Sequence, residues 1–112
     1  MPRIPKLDVK EGTISFWVRK NKLKWNDGLV HVLLNVSNNQ GSVFIVKDSD
    51  NKLKFSHVVL GLGRTDVETD VSNLSISEDH FIAVTWSLEK REVILYVDGE
   101  RVDRSEILQT RV

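Results

Sequence analysis

Three acidic side chains alternate in the stretch DVETDV, namely Asp66, Glu68 and Asp70. Alternate side chains of an extended chain point to the same side, so these carboxylates share one face. Two carboxyl groups about 5–5.5 Å apart carry out retaining glycoside hydrolysis, and grouped carboxylates can also bind Ca²⁺. Acidic residues in such stretches more commonly cap turns and keep strand edges soluble. We therefore predict no cofactor and no metal, and we do not favour Asp66, Glu68 and Asp70 as Ca²⁺ ligands.

The aromatic residues offer a different chemistry, because a flat apolar ring can stack on the C–H face of a sugar. Trp17, Trp25 and Tyr96 are the candidates for this role, and filling the core is the alternative role for each of them. Trp25 lies among polar neighbours in the loop 21–28, so we expect it to be the more exposed tryptophan. Arg101 is expected to face Tyr96 across a hairpin as a cation–π pair. These four residues form the predicted ligand-binding set.

The composition excludes several classes of function. The chain of 112 residues has no cysteine, which excludes disulfides, thiolate metal sites and cysteine nucleophiles. Its 16 basic and 16 acidic residues balance, so nucleic acid and anionic membranes are not predicted partners. The longest apolar run, Val58 to Leu62, is too short to be inserted across a bilayer. Residues 1–4 contain no hydrophobic segment of signal-peptide type, so we predict no signal peptide in this chain. We expect either an intracellular protein or an extracellular or cell-surface domain of a longer one.

Alternation of apolar residues with period two recurs along the chain, whereas no long segment keeps a helical period. Turn residues separate the alternating stretches. The predicted strands are Thr13–Arg19, Leu29–Ser37, Ser42–Lys47, Lys52–Leu60, Phe81–Ser87, Glu92–Val97 and Glu100–Asp103. This pattern predicts a single all-β domain over residues 1–112, folded as an antiparallel β-sandwich or barrel.

The last three strands can be aligned by asking which pairing places apolar residues on one face. A type I′ turn at Asp98-Gly99 pairs Leu95 with Val102 and Tyr96 with Arg101. A four-residue loop aligns the preceding hairpin on the same face. The core face predicted in this way consists of Ile82, Val84, Trp86, Val93, Leu95, Val97 and Val102.

The middle of the chain can be aligned by the same argument. A four-residue loop at 48–51 pairs Val46 with Leu53, and a bulged turn pairs Leu34 with Phe44. The second predicted core face is Val30, Val32, Leu34, Val36, Phe44, Val46, Leu53 and Phe55. The opposite faces are unusually apolar for surfaces in water; they carry Leu29, Leu33, Val43, Ile45, Phe81, Ala83, Ile94 and Tyr96. Loops could cover them, or they could meet a ligand or a second copy of the chain in a homo-oligomer.

Two stretches together resemble a known family. EGTISFWVRKN (11–21) and HFIAVTWSLEKREVILYVDGERV (80–102) are similar to the first long strand and a later hairpin of laminin G-like domains, within the concanavalin A-like lectin/glucanase superfamily. The resemblance implies a jelly-roll-like β-sandwich that serves as a recognition or adhesion module. The chain departs from the family pattern in two ways. Only 104–112 follow the last hairpin, so the sandwich could be shortened, and His80 stands where the family often has tryptophan.

The resemblance also bears on catalysis. Laminarinases of related fold use a strand motif Glu-x-Asp-x-x-Glu, and here Glu68 and Asp70 match while Asn73 replaces the acid/base. An amide cannot protonate a leaving group, so we predict no enzyme. The predicted function is a non-catalytic module that binds carbohydrate or protein. The alternatives are an assembly domain that pairs with another chain through its apolar outer face, or a degenerate glycoside hydrolase-like domain.

Overall fold

The computed structural model describes residues 7–107, which contain eight antiparallel strands in two sheets. The strands are β1 (Glu11–Val18), β2 (His31–Asn38), β3 (Gly41–Lys47), β4 (Lys52–Val59), β5 (Gly63–Asp70), β6 (His80–Ser87), β7 (Glu92–Val97) and β8 (Glu100–Glu106). Sheet I has the order β1-β6-β7-β8, and sheet II has the order β2-β3-β4-β5. The predicted all-β, antiparallel sandwich is confirmed. Among the described residues there is no helix long and apolar enough to cross a membrane.

The strand β5 was not predicted. Its sequence, GRTDVETD, has a single large apolar residue, Val67, which is 1% exposed. A strand at the end of a sheet needs only a few inward apolar side chains, because its other face meets water. The remaining seven strands form close to the predicted bounds.

Sheet I follows the predicted register closely. The partners Trp86–Val93, Val84–Leu95 and Ile82–Val97 are all confirmed, and these six side chains are buried. Asp98 and Gly99 have φ of 54° and 82°, as a type I′ turn requires.

One pairing in the last hairpin is wrong. Tyr96 pairs with Arg101 as predicted, but the register shifts between Leu95 and Tyr96, so Leu95 faces Asp103 and not Val102. An extra residue in one strand of a pair is a β-bulge, and bulges cannot be read from alternation alone. Val102 is half-buried and packs against the core from this position.

The predicted register of sheet II is wrong by one residue between β3 and β4. Lys47 pairs with Leu53, and Ile45 pairs with Phe55. The connecting loop is one residue shorter than predicted, because Asn51 adopts a left-handed conformation with φ of 60°. The Asp48 carboxylate accepts hydrogen bonds from the backbone of Asp50 and Lys52 at 2.9 and 3.0 Å, which stabilises the tighter turn.

The change of register moves side chains between faces. Val43 and Ile45 are fully buried, whereas Phe44 and Val46 are half-buried on the outside. A bulge between Val32 and Leu34 adds to the change: Leu34 pairs with Ile45 and not with Phe44. Of the eight residues predicted to form the apolar outer surface, Val43 and Ile45 are therefore core residues, and Ile94 is buried on the outer face of sheet I. Val30 and Val32, which were predicted to be core, are 60% and 59% exposed.

The two long sides of the sandwich differ. On one side the edge strands β5 and β8 are joined, because the Glu68 backbone N–H donates to the Asp103 carboxylate and the Ser105 hydroxyl donates to the Asp66 carbonyl, both at 2.9 Å. On the other side, β1 and β2 have no second strand partner within residues 7–107. The loop between them sends Leu23 into the core. The sandwich is therefore closed at β5–β8 and open at β1–β2.

Candidate functional site

The outer face of sheet I carries an aromatic pair at the β1 edge of the sheet. Trp17 of β1 is 52% exposed, and it pairs across the strands with Phe81. The centroids of the two rings are 5.0 Å apart. The guanidinium of Arg19 lies 5.6 Å from the centroid of the Trp17 ring, within cation–π range. The Trp17 ring is thus held in place by its neighbours and still open to solvent.

Tyr96 lies on the same outer face, one row further along the strands. Its cross-strand partner is Ala83, which pairs in turn with Ser15 of β1. From the standard spacings along and between strands, Trp17 and Tyr96 lie roughly 12 Å apart. Between them Ser15 and Ala83 have short side chains, so the two aromatic residues border a shallow floor. We call this surface the aromatic face.

A shallow cavity of about 390 Å³ adjoins Tyr96 on this face. The side chains that line it are mostly polar and include Glu11, Thr13, Thr85, Lys90 and Glu92, with the buried Ile94 among them. Hydroxyl, carboxylate and ammonium groups together can both donate and accept hydrogen bonds. The aromatic face therefore combines apolar stacking surfaces with a polar rim.

Three of the four predicted binding residues come together here. Trp17 and Tyr96 share the face, and Arg101 joins them as the exposed cross-strand partner of Tyr96. The predicted cation–π pair between Tyr96 and Arg101, however, does not form in the structure of residues 7–107. In the part of the chain that the structure describes, the cation–π contacts are Arg19 with Trp17 and Arg64 with Phe44.

The predicted exposure of Trp25 is wrong. The side chain is 2% exposed, and its ring packs edge-on against the His80 ring at 5.6 Å between centroids. The loop folds back over the open end of the core, and the Asn21 backbone N–H donates to the Ile76 carbonyl at 2.7 Å to hold it there. A buried ring presents no face to a ligand, so Trp25 serves as a core residue.

The three alternating carboxylates lie on β5, in the other sheet, and each has a partner. Asp66 accepts a hydrogen bond from Arg64 at 2.8 Å, and Glu68 forms an ion pair with Lys52 at 3.5 Å. Asp70 caps the following turn, and hydrogen bonds from the side chain and backbone of Ser72 lower the pKa of Asp70. Within residues 7–107, no group of three His, Cys, Asp or Glu side chains is placed to hold a metal ion.

We expect the melting temperature to be independent of Ca²⁺. A chelator should leave it unchanged, and millimolar Ca²⁺ should not raise it, because the acidic side chains already have protein partners. Thermal unfolding with and without each additive measures this directly. A rise of several degrees with Ca²⁺ would contradict the assignment of these carboxylates to turns and ion pairs.

Comparison with known proteins shows the family to which the chain belongs. The laminin G-type family model described as concanavalin A-like lectin/glucanases superfamily matches residues 1–111. The chain belongs to this superfamily. The resemblance seen in the sequence is thereby confirmed. Among curated protein sequences, none matches the chain at a significant level.

Solved structures share the fold of this superfamily member at low sequence identity. Domains LG4-5 of the mouse laminin alpha1 chain superpose with a TM-score of 0.69 at 18% identity, covering 96% of this chain and 26% of that one. CBM40 of the Ruminococcus gnavus IT-sialidase, in a structure bound to alpha2,3 sialyllactose, has a TM-score of 0.56 at 16% identity. That match covers 87% of this chain and 53% of the other. The chain thus spans about a quarter to a half of the structures it matches.

A cluster of charged groups that the sequence analysis missed holds the start of β2. Lys47 is fully buried, and its ammonium donates to the Asp27 carboxylate at 2.7 Å and to the Asn51 side chain at 3.1 Å. The other oxygen of Asp27 lies 2.7 Å from Nε2 of His31. Hydrogen bonds from Lys47, His31 and the Leu29 backbone hold the pKa of Asp27 well below its usual range. The burial of Lys47 could have been inferred from its spacing, because it lies two residues after Ile45 and therefore on the same face of β3 as Val43 and Ile45.

His80, the residue that departs from the family's tryptophan, is held by two acceptors. Its Nδ1 lies 2.8 Å from the Asp98 carboxylate, and its Nε2 lies 2.7 Å from the Ser75 carbonyl. Only the doubly protonated ring can donate to both. Burial of the ring opposes protonation, but the hydrogen bonds to Asp98 and Ser75 and the charges of Asp98 and Glu78 outweigh it. The pKa of His80 is therefore raised above its ordinary value of 6.5.

The free energy of unfolding should decrease as the pH rises through the pKa of His80 in the folded protein. Because that pKa lies above 6.5, the stabilisation is complete below pH 6.5 and is lost at higher pH. His80→Gln keeps a donor but not the charge, so it should remove this part of the pH dependence. Urea unfolding at a series of pH values between about 6 and 9 measures the difference. Equal pH dependence in the two proteins would mean that folding does not raise the pKa of His80.

Proposed function

We propose that this chain is a non-catalytic module that binds carbohydrate on the aromatic face of sheet I. The observation that carries the proposal is the placement of Trp17 and Tyr96 on one surface, with Ser15 and Ala83 as a low floor between them. Aromatic rings on a flat sheet match the C–H faces of pyranose rings, and polar groups around them can bind the hydroxyls.

The spacing favours an oligosaccharide over a single sugar. Two rings roughly 12 Å apart are too distant for one pyranose to contact both, so a chain of sugars would lie across Ser15 and Ala83. Its hydroxyls would meet the polar rim, in which Lys90 and Glu92 line the adjoining cavity. The structural likeness to CBM40, which binds sialyllactose, is consistent with this class of ligand.

The degenerate hydrolase is the less favoured alternative. Its candidate residues Glu68 and Asp70 lie on β5, whereas the aromatic face is formed by β1, β6 and β7. Glu68 forms an ion pair with Lys52 in sheet II, whereas a sugar would stack on sheet I. Binding without hydrolysis is therefore the function that the geometry supports best.

A glycan array probed with the parent protein and two variants tests the proposal. Tyr96→Ala should weaken binding of the selected glycans roughly tenfold, or about 1.4 kcal/mol, because it removes one stacking surface. Phe44→Ala is the matched control, since it truncates another half-buried aromatic on the outside of sheet II. It should leave glycan affinity unchanged.

Tryptophan fluorescence gives a second readout. Trp17 is the exposed tryptophan, whereas Trp25 and Trp86 are 2% and 4% exposed. A bound glycan should therefore shift the emission of Trp17 alone. Silence across the whole array, or equal loss of binding in Tyr96→Ala and Phe44→Ala, would contradict carbohydrate recognition on this face.

A further inference from the structure

A groove of about 760 Å³ runs along the open side of the sandwich, between the end of β1 and the start of β2. We call it the β1–β2 groove. Its apolar lining includes Trp17, Val18, Leu23, Val30, Val32 and Leu33. Three of these large side chains are more than half exposed, at 52% for Trp17, 60% for Val30 and 59% for Val32. Exposed apolar residues that line one groove are typical of an interaction surface.

The backbone beside the groove can accept another strand. On the opposite side of the sandwich the edges β5 and β8 are joined by two hydrogen bonds, whereas β1 pairs only with β6 in the described part of the chain. The eight residues of β1 pair with β6 without interruption. In contrast, β2 is bulged between Val32 and Leu34, and a bulge protects a strand edge from further pairing. The regular edge of β1 is therefore the template for an added strand.

The charged residues of the groove indicate which kind of strand could be added to β1. Arg19 and Lys22 are among its lining residues, and none of the described lining residues is acidic. The guanidinium of Arg19 forms an ion pair with the Asp79 carboxylate at 3.3 Å, whereas Lys22 is exposed at the rim of the groove. Across a two-fold axis the same patch meets itself, so a second copy of the chain would place cations against cations. Charge complementarity instead favours a partner with carboxylates.

We propose that the β1–β2 groove binds an extended, acidic and apolar peptide segment of a partner protein, which adds as a strand to the free edge of β1. Backbone hydrogen bonds to β1 would supply affinity, and alternate side chains would supply specificity. The apolar side chains of the segment pack on Val30, Val32 and Leu33, and its acidic side chains meet Lys22. Trp17 borders both this groove and the aromatic face, whereas Tyr96 and the polar rim beside it lie outside the groove.

Selection from a random peptide library displayed on phage, with the full chain as bait, provides the probe. We expect enriched sequences in which β-branched or aromatic residues alternate with Asp or Glu. A labelled synthetic peptide of the enriched sequence is then titrated by fluorescence anisotropy. Val32→Asp should weaken it at least roughly tenfold, because a carboxylate would face the acidic peptide. Leu60→Asp, at a residue 66% exposed outside the groove, is the matched control and should bind normally.

A charge reversal tests the electrostatic part of the proposal. Lys22→Glu should weaken the peptide several-fold, and the effect should shrink at high salt. Lys24→Glu makes the same change at an exposed position of the same loop outside the groove, and it should have little effect. Tyr96→Ala should leave peptide binding intact, which separates this proposal from the carbohydrate site.

Amide hydrogen exchange tests the strand addition itself, because bound peptide should slow exchange within Glu11–Val18. Four outcomes would overturn the proposal: no peptide enriched over background, enriched peptides without acidic residues, binding equal in Val32→Asp and Leu60→Asp, or exchange in β1 that the peptide does not alter. A dimer of the chain that Val32→Asp dissociates would also overturn it, because a second copy would then occupy the groove.

Discussion

Replacing Trp86 by alanine should lower the free energy of unfolding by about 3–5 kcal/mol, the usual cost of removing a large aromatic ring from a core. The side chain is 4% exposed, and its ring lies 5.9 Å from Phe55 and 6.0 Å from His57 between centroids. Its indole N–H also donates to the Asp8 carbonyl at 2.8 Å. The truncation would therefore leave a cavity between the sheets and an unpaired backbone acceptor.

The local fit around Trp86 is tight enough to explain a nearby glycine. A Cβ built on Gly12 would lie 2.5 Å from the indole, so β1 crosses the ring at a position without a side chain. Urea unfolding measures the loss, with Trp17→Ala as the matched control at a site 52% exposed. The control should cost less than about 1 kcal/mol. If Trp86→Ala does not fold, Trp86→Phe should fold with a smaller loss. Similar losses in Trp86→Ala and Trp17→Ala would contradict the packing described here.

Asp27→Ala should destabilise the protein much more than Lys47→Met, although both remove one partner of the same ion pair. Without Asp27, the ammonium of Lys47 would remain fully buried with no carboxylate beside it. Without the ammonium, Asp27 would still reach solvent, at 14% side-chain exposure, and would keep its contact with His31. Leaving a buried charge without its partner is the costly case.

The double variant Asp27→Ala/Lys47→Met separates loss of the pair from the orphaned charge. It should be more stable than Asp27→Ala alone, because methionine fills the site of Lys47 without a charge. Urea unfolding of all four proteins at neutral pH completes the cycle. If the two single variants lose equal stability, or if the second substitution adds to the loss, Lys47 is not the buried cation that the structure describes.

Most of the register of sheet I could be predicted because the residues of its last turn strongly favour one turn type. Asp98-Gly99 suits a two-residue type I′ turn, and that turn fixed the pairing of Tyr96 with Arg101. It also placed Tyr96 and Arg101 on one face, whereas the position of Trp17 on that face follows from the pairing of β1 with β6, which was not predicted. The bulge that moved Leu95 opposite Asp103 could not be predicted in this way, since an added residue leaves the alternation of both strands intact.

Sheet II could not be aligned because both faces of its central strand are apolar. Val43 and Ile45 alternate with Phe44 and Val46, so burial does not distinguish the two registers. The decision rests on the left-handed conformation of Asn51, which shortens the loop. The burial of Trp25 was missed for a related reason: whether a loop folds onto a core depends on tertiary contacts that its own polar residues do not indicate.

The order of the strands along the chain has a kinetic consequence. Strands β2 to β5 are joined by short hairpins, as are β6 to β8, so each run can form from contacts that are near in sequence. The first strand, β1, differs because its partner β6 begins more than sixty residues later, and closing so long a loop costs entropy before any contact repays it. We therefore expect β1 to dock late in folding and to be released early in unfolding. A strand of this kind is also the one most easily exchanged between two molecules during folding at high concentration.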